Sequence, residues 1–70
     1  MNGFRRLAFG RRVLVNLTTG RAFRGVLFET RGPLIVLRNA ELLDGDQVVP
    51  VDGTVVIERD RIEFVQVVGG

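Results

Sequence analysis

The chain has 70 residues, 46% of them hydrophobic, and ten basic against eight acidic side chains leave a net charge of +2. A chain of this length forms one domain, 1–70, that buries only about 60% of its unfolded surface and is marginal without further help. It contains no cysteine and no histidine, which excludes disulfides, thiolate metal sites and the commonest general base. The remaining source of stability is association with other chains.

Every basic residue is arginine. Arginine suits planar, bidentate recognition of phosphate and carboxylate. The same preference arises from codon usage in a GC-rich genome, so the high pI is not by itself an argument for nucleic-acid binding. No stretch approaches the ~20 apolar residues of a membrane span. The apolar run after the basic start is too short for a signal peptide. The expectation is an intracellular, cytoplasmic protein with no membrane partner.

Residues 2–9 read as a short helix within an N-terminal segment, 1–10. Asn2 caps it, Phe4, Leu7 and Ala8 share one face, and Gly10 ends it. So short a helix must dock on something to persist. Val13, Val15 and Leu17 then alternate with Leu14, Asn16 and Thr18, the period of a strand. Thr19-Gly20 is a turn, and a second strand covers 21–29. Gly25 lies inside that strand, where glycine marks a bulge, a bend or a close backbone approach. A strand bent at its middle serves both walls of a small barrel.

Arg31-Gly32-Pro33 makes a tight turn into a third strand, 34–42, with Ile35 and Leu37 on one face and Leu34 and Val36 on the other. Asp44-Gly45 is a strong hairpin signal. A fourth strand covers 47–58. Asp52-Gly53 either turns a hairpin, giving six strands, or bends one continuous strand, giving five. Arg59-Asp60-Arg61 is a charged turn, and 62–68 is the last strand. The fold class is mostly β: a short N-terminal helix, then a five-stranded, strongly bent antiparallel open barrel over 12–68. The fourth and fifth strands carry Val55, Ile57, Phe64, Val65 and Val67 with no lysine among them. Apolar edges of this kind aggregate unless a partner strand covers them. Those five residues are therefore the expected interface between identical subunits, and head-to-tail pairing of two different edges closes into a ring.

At this point the chain resembles the Sm and Sm-like family. The first motif resembles Val13-x-Val15-x-Leu17-x-x-Gly20-x-x-Phe23-x-Gly25-x-Leu27, then Ile35-x-Leu37 and Ala40. The second resembles Gly53-Thr54-Val55-Val56-Ile57, then Ile62-x-Phe64-Val65. The resemblance covers 12–66. It implies a helix on an SH3-like open barrel, homo-oligomeric rings of six or seven subunits, and pairing of the fourth strand with a neighbour's fifth. It favours Gly53 as a bend in one strand, and it implies RNA binding, typically of U-rich sequence, around a central pore.

The chain departs from the family where bases are read. The Asp-x-x-x-Asn segment is replaced by the shorter Glu29-Thr30-Arg31-Gly32-Pro33-Leu34, without the asparagine and without an aromatic or histidine for stacking. The Ile-Arg-Gly segment becomes Ile57-Glu58-Arg59. The Lys-His pair of the bacterial Hfq chaperone is absent. The fold-bearing residues match and the base-reading ones do not.

Catalysis has no support, since histidine, cysteine, serine and tyrosine are all missing. No cofactor is expected. Asp44, Asp46 and Asp52 sit near turns, where aspartate ordinarily serves turn geometry rather than a metal. Glu58, Asp60 and Glu63 interleave with Arg59 and Arg61 as a solvated or inter-subunit charge network. Phe23, Phe28 and Phe64 read as core or interface residues.

The arginines are the functional candidates. In a ring of the family's kind, Arg31 and Gly32 on one loop and Arg59 on another face the pore. Arg5, Arg6, Arg11 and Arg12 form a purely basic cluster on the helix and rim, with Phe4 or Phe9 nearby for stacking. The chain thus reads as a homo-oligomeric ring that binds single-stranded RNA mostly through backbone contacts. The alternative is a structural or protein-interaction ring without RNA, such as a viral or regulatory assembly component.

Overall fold

The computed structural model describes Gly3 and residues 7–68. Six strands follow in order: β1 Arg12–Leu17, β2 Ala22–Arg31, β3 Leu34–Asp44, β4 Gln47–Pro50, β5 Val55–Glu58 and β6 Ile62–Val67, with a 3-10 turn over Arg59–Arg61 before β6. All pairings are antiparallel. They run β4-β3-β2-β1-β6, with β5 also on β3. The expected N-terminal helix lies largely outside the described residues. Leu7 and Ala8 are helical and the chain turns at Gly10, whose φ is +75°.

The apolar alternation of β1 places Val13 and Val15 inward, fully buried. Cross-strand partners share a face. Gly25 and Phe23 opposite them therefore also face inward, whereas Arg12, Leu14 and Asn16 face out. Leu27, Ile35, Leu37, Ala40 and Ile57 complete the core together with Ala8, and among the described residues no polar side chain is buried. The N-terminal segment is held by backbone bonds. Gly10 N–H donates to the Leu27 carbonyl (2.9 Å), and Leu27 N–H donates to the Arg11 carbonyl (3.0 Å).

The bend has two causes. Between Arg24 and Val26 the register of β3 advances from Glu41 to Arg38, so β3 carries an extra residue there. Asn39 absorbs it at φ +51°, a left-handed conformation that asparagine tolerates better than most residues. Between Leu27 and Glu29 the excess residue is on β2, at Phe28. Offset bulges on facing strands curl the sheet. Gly25 permits the approach: a Cβ there would lie 3.0 Å from the Arg38 carbonyl oxygen and 3.1 Å from Ala40 Cα and Cβ.

The expected fourth strand is broken. β4 and β5 both lie on the edge of β3 away from β2, and both run antiparallel to it. They are thus two pieces of one path, not a hairpin, and Gly53 bends the chain as the resemblance implies. The ladder to β3 breaks at 51–54, where Gly53 takes φ +76° and turns the chain. The last link before the gap is Val51 N–H to the Ala40 carbonyl, at 3.0 Å.

β5 and β6 do not pair with each other, so the barrel is open. The surface is 4782 Å², above the ~4,400 Å² that size scaling gives a compact chain of this mass. Gly25→Ala is expected to lower unfolding free energy by about 1–3 kcal/mol, because backbone and not a flexible side chain occupies the space. Urea denaturation checks this, and an unchanged midpoint would contradict the account of the bend.

Candidate nucleic-acid interface

The two loops expected to carry the pore arginines come together. β2 and β3 pair through Arg31 and Leu34, so Gly32-Pro33 alone makes the turn, with Gly32 at φ +55°. Arg59 N–H donates to the Pro33 carbonyl at 2.8 Å. Arg31, Gly32 and Arg59 therefore occupy one end of the molecule, although 28 positions separate the two arginines. Arg31 is highly exposed, with its Nε 3.5 Å from Glu29 Oε2. An exposed pair of this length contributes little, so the guanidinium remains available.

A third loop joins them. Thr18 N–H donates to the Arg61 carbonyl at 2.9 Å, bringing the β1–β2 turn against the 3-10 turn. Arg21 and Arg61 then flank a groove of about 240 Å³ with Leu17, Phe23, Val56 and Ile57 along its apolar side. The sequence reading did not single out Arg21 or Arg61 as ligand contacts. The available signal was their adjacency to turn residues, Thr19-Gly20 and Asp60.

Of the basic cluster, Arg5 and Arg6 lie outside the described residues, as does Phe4. Arg11 and Arg12 are exposed. Arg11 precedes β1 and Arg12 opens it opposite Val26. Among the described residues the ion pairs are Arg24–Glu41 and Glu29–Arg31. The charges from Glu58 to Glu63 are exposed and do not pair with one another. Among the described residues no three acidic side chains are placed together to hold a metal ion.

The aromatic residues are less buried than a core role requires. Phe23 is half-buried against the core. Phe28, displaced by its bulge, is 39% exposed and lies under the Arg38 guanidinium, 3.4 Å from the ring centroid. Phe64 on β6 is 49% exposed.

The expected interface residues divide into two sets. Ile57 is buried and Val55 and Val65 are half-buried, packed on the chain's own core. Val67 and Phe64 are exposed, and so is Val56 at 56%, a residue absent from the expected set. Alternation along β5 accounts for this, since Val55 and Ile57 point inward and Val56 outward. Both strands keep one free edge: β6 ends the strand order and β5 pairs only with β3.

No family model matches the chain, and no curated protein matches it. Solved structures do. The SmAP1 heptamer of P. aerophilum is similar at TM-score 0.87 and 25% identity, covering 100% of this chain and 95% of that one. An Sm protein of Pyrococcus abyssii, solved in complex with a uridine heptamer, gives TM-score 0.85 and 28% identity, covering 96% of each chain. A heptameric archaeal Sm protein gives TM-score 0.84 and 25% identity, covering 96% of this chain and 98% of that one. In its bent open antiparallel sheet the chain is similar to these archaeal Sm proteins over nearly its whole length.

Proposed function

We propose that this chain assembles head to tail into a closed ring, β5 of one copy pairing with β6 of the next, and that the ring binds single-stranded RNA without enzymatic activity. The observation that carries the reading is the pair of free, apolar edges on opposite sides of an open barrel. Two different edges that satisfy each other generate a ring when the rotation closes. Two of the similar structures are heptamers, which favours seven copies here. Another was solved with uridine RNA, which favours RNA as the ligand.

The RNA contacts fall to Arg31 and Arg59, with Gly32 keeping the turn short. One copy of each per subunit, repeated around a ring, builds a dense positive field. Arg11 and Arg12, with Arg5 and Arg6, serve the rim. The two-residue turn offers no asparagine or aromatic side chain for base edges, and Glu58 replaces the motif arginine. Binding therefore rests on phosphate and carries little base preference.

The edge pairing is tested by Val56→Asp. Val56 faces solvent, so the substitution disturbs no core packing, and native mass spectrometry is expected to show subunits in place of the assembly, with a lowered melting temperature. An assembly of unchanged mass contradicts the pairing. Ile57→Asp does not serve the same purpose, because it places a charge in the core.

The RNA reading is tested by titrating uridine, adenosine and cytidine oligomers at several salt concentrations. Affinity should fall steeply with salt, each phosphate-contacting arginine adding about 0.7 to the logarithmic slope. Arg31→Ala and Arg59→Ala should weaken all three oligomers by the same factor. Absence of any binding at low salt supports the protein-interaction ring instead.

A further inference from the structure

The outer face of the sheet carries a second polar site, away from the Arg31–Arg59 loops. Leu14, Arg24, Glu41 and Pro50 stand in one cross-strand row on that face, over β1, β2, β3 and β4. Beside the row, the β3 bulge and the broken β4–β5 path leave a cleft of about 360 Å³. Gly25 and Ala40 form its buried floor, Pro50 and Val51 one wall, and Arg12, Arg24, Asn39 and Glu41 supply its polar groups. The volume lies at the lower end of the ~300–1,000 Å³ typical of small-molecule sites.

The polar groups differ in their commitments. Arg24 places Nε and Nη2 on Glu41 Oε1, at 3.0 and 2.7 Å. Glu41 thereby fixes the guanidinium against the sheet. Arg12 makes no ion pair among the described residues. Two guanidinium groups against one carboxylate leave one net positive charge on the cleft, and Arg12 carries it. Asn39 projects an amide, donor and acceptor together, from a backbone held at φ +51°. Backbone in this sparsely populated region concentrates at ligand sites. The bulge that bends the sheet is thus also what sets the amide at the mouth of the cleft.

We propose that this cleft binds one phosphorylated nucleotide, either free or as a unit of a strand. Arg12 holds the phosphate, Arg24 braced by Glu41 forms the charged wall, and Asn39 hydrogen-bonds the ribose or base. The proposal shares its ligand class and Arg12 with the ring reading, whereas Arg24, Asn39 and Glu41 belong to the cleft alone. Seven positions of β2 separate Arg24 from Arg31, so the two sites are separable by mutation.

The test titrates full-length protein with adenosine and uridine 5′-monophosphates, with the corresponding nucleosides, and with a uridine oligomer. Six proteins are compared: wild type, Arg12→Ala, Asn39→Gly, the double variant Arg31→Ala/Arg59→Ala, and that double variant carrying in addition either Arg12→Ala or Asn39→Gly. Glycine accepts the left-handed φ, so Asn39→Gly removes the amide without straining the bulge, and an unchanged melting curve verifies this. Monophosphates should bind wild type and the double variant alike, and nucleosides more weakly. Arg12→Ala should lose about tenfold in monophosphate affinity, the scale of one charge-assisted contact, and Asn39→Gly a smaller factor.

If the oligomer follows the same variants in the double-variant background, the cleft takes a nucleotide within a strand. If only the monophosphates do, it takes the free nucleotide. Monophosphate binding that survives both Arg12→Ala and Asn39→Gly, or none by wild type at millimolar concentration, overturns the proposal and leaves the ring reading standing. Loss of oligomer binding by wild type with Arg12-dependent monophosphate binding retained overturns the ring's RNA reading and leaves this site standing.

Discussion

The approach of β2 to β3 at Gly25 is the constraint from which the rest of the structure follows. With no Cβ at that position, the strand runs against the Arg38 carbonyl and Ala40. The two strands then accommodate unequal residue counts through bulges at Asn39 and Phe28. The resulting curl brings the arginine-bearing turns together and wraps β5 and β6 toward opposite sides of one opening. A larger residue at position 25 would flatten the sheet and separate both features.

The curl also limits what the chain can do alone. Its largest fully buried side chains are Leu27, Leu37, Val13 and Val15, and aliphatic burial on this scale gives only a few kcal/mol per side chain. Meanwhile Val56, Phe64 and Val67 remain in contact with water beside unpaired backbone edges. Natural edge strands are ordinarily protected by lysine, proline, bulges or cover. β5 and β6 have neither lysine nor proline. In the proposed ring, a second copy would supply at once the missing hydrogen bonds and the missing apolar contact.

Much of this architecture was legible because it rests on local chemistry. Alternation in β1, glycine within β2, proline after Gly32 and Asp44-Gly45 each specify a shape within a few residues. What escaped the sequence depends on distant partners. The fourth strand reads either as a hairpin at Asp52-Gly53 or as one bent strand until both of its pieces are found along the same edge of β3. Phe28 reads as core or interface until the bulge on β2 sets it outward beneath Arg38. Ile57 turns inward and Val56 outward because the strand's inward face is fixed by pairing with Ile35. Arg21 and Arg61 meet only through the Thr18–Arg61 bond, and Asn39 gains meaning only once its φ is known. The candidate site was read less completely than the fold, because it is assembled from loop ends and the fold from strand interiors.

The surface chemistry and the fold point the same way. Features suited to phosphate are retained, while those suited to base edges are trimmed to a two-residue turn. That division suits the proposed assembly, in which weak, repeated contacts add up. Hydrogen–deuterium exchange of the wild-type chain, resolved at individual amides across 55–58 and 62–67, tests this dependence on assembly most directly. The account predicts slow exchange on both edge strands, matching β1 in the sheet interior, with loss of protection in both at once on dilution. Rapid exchange along both edges at every concentration, beside a stably protected β1, would show a chain that folds and persists alone and would contradict the account.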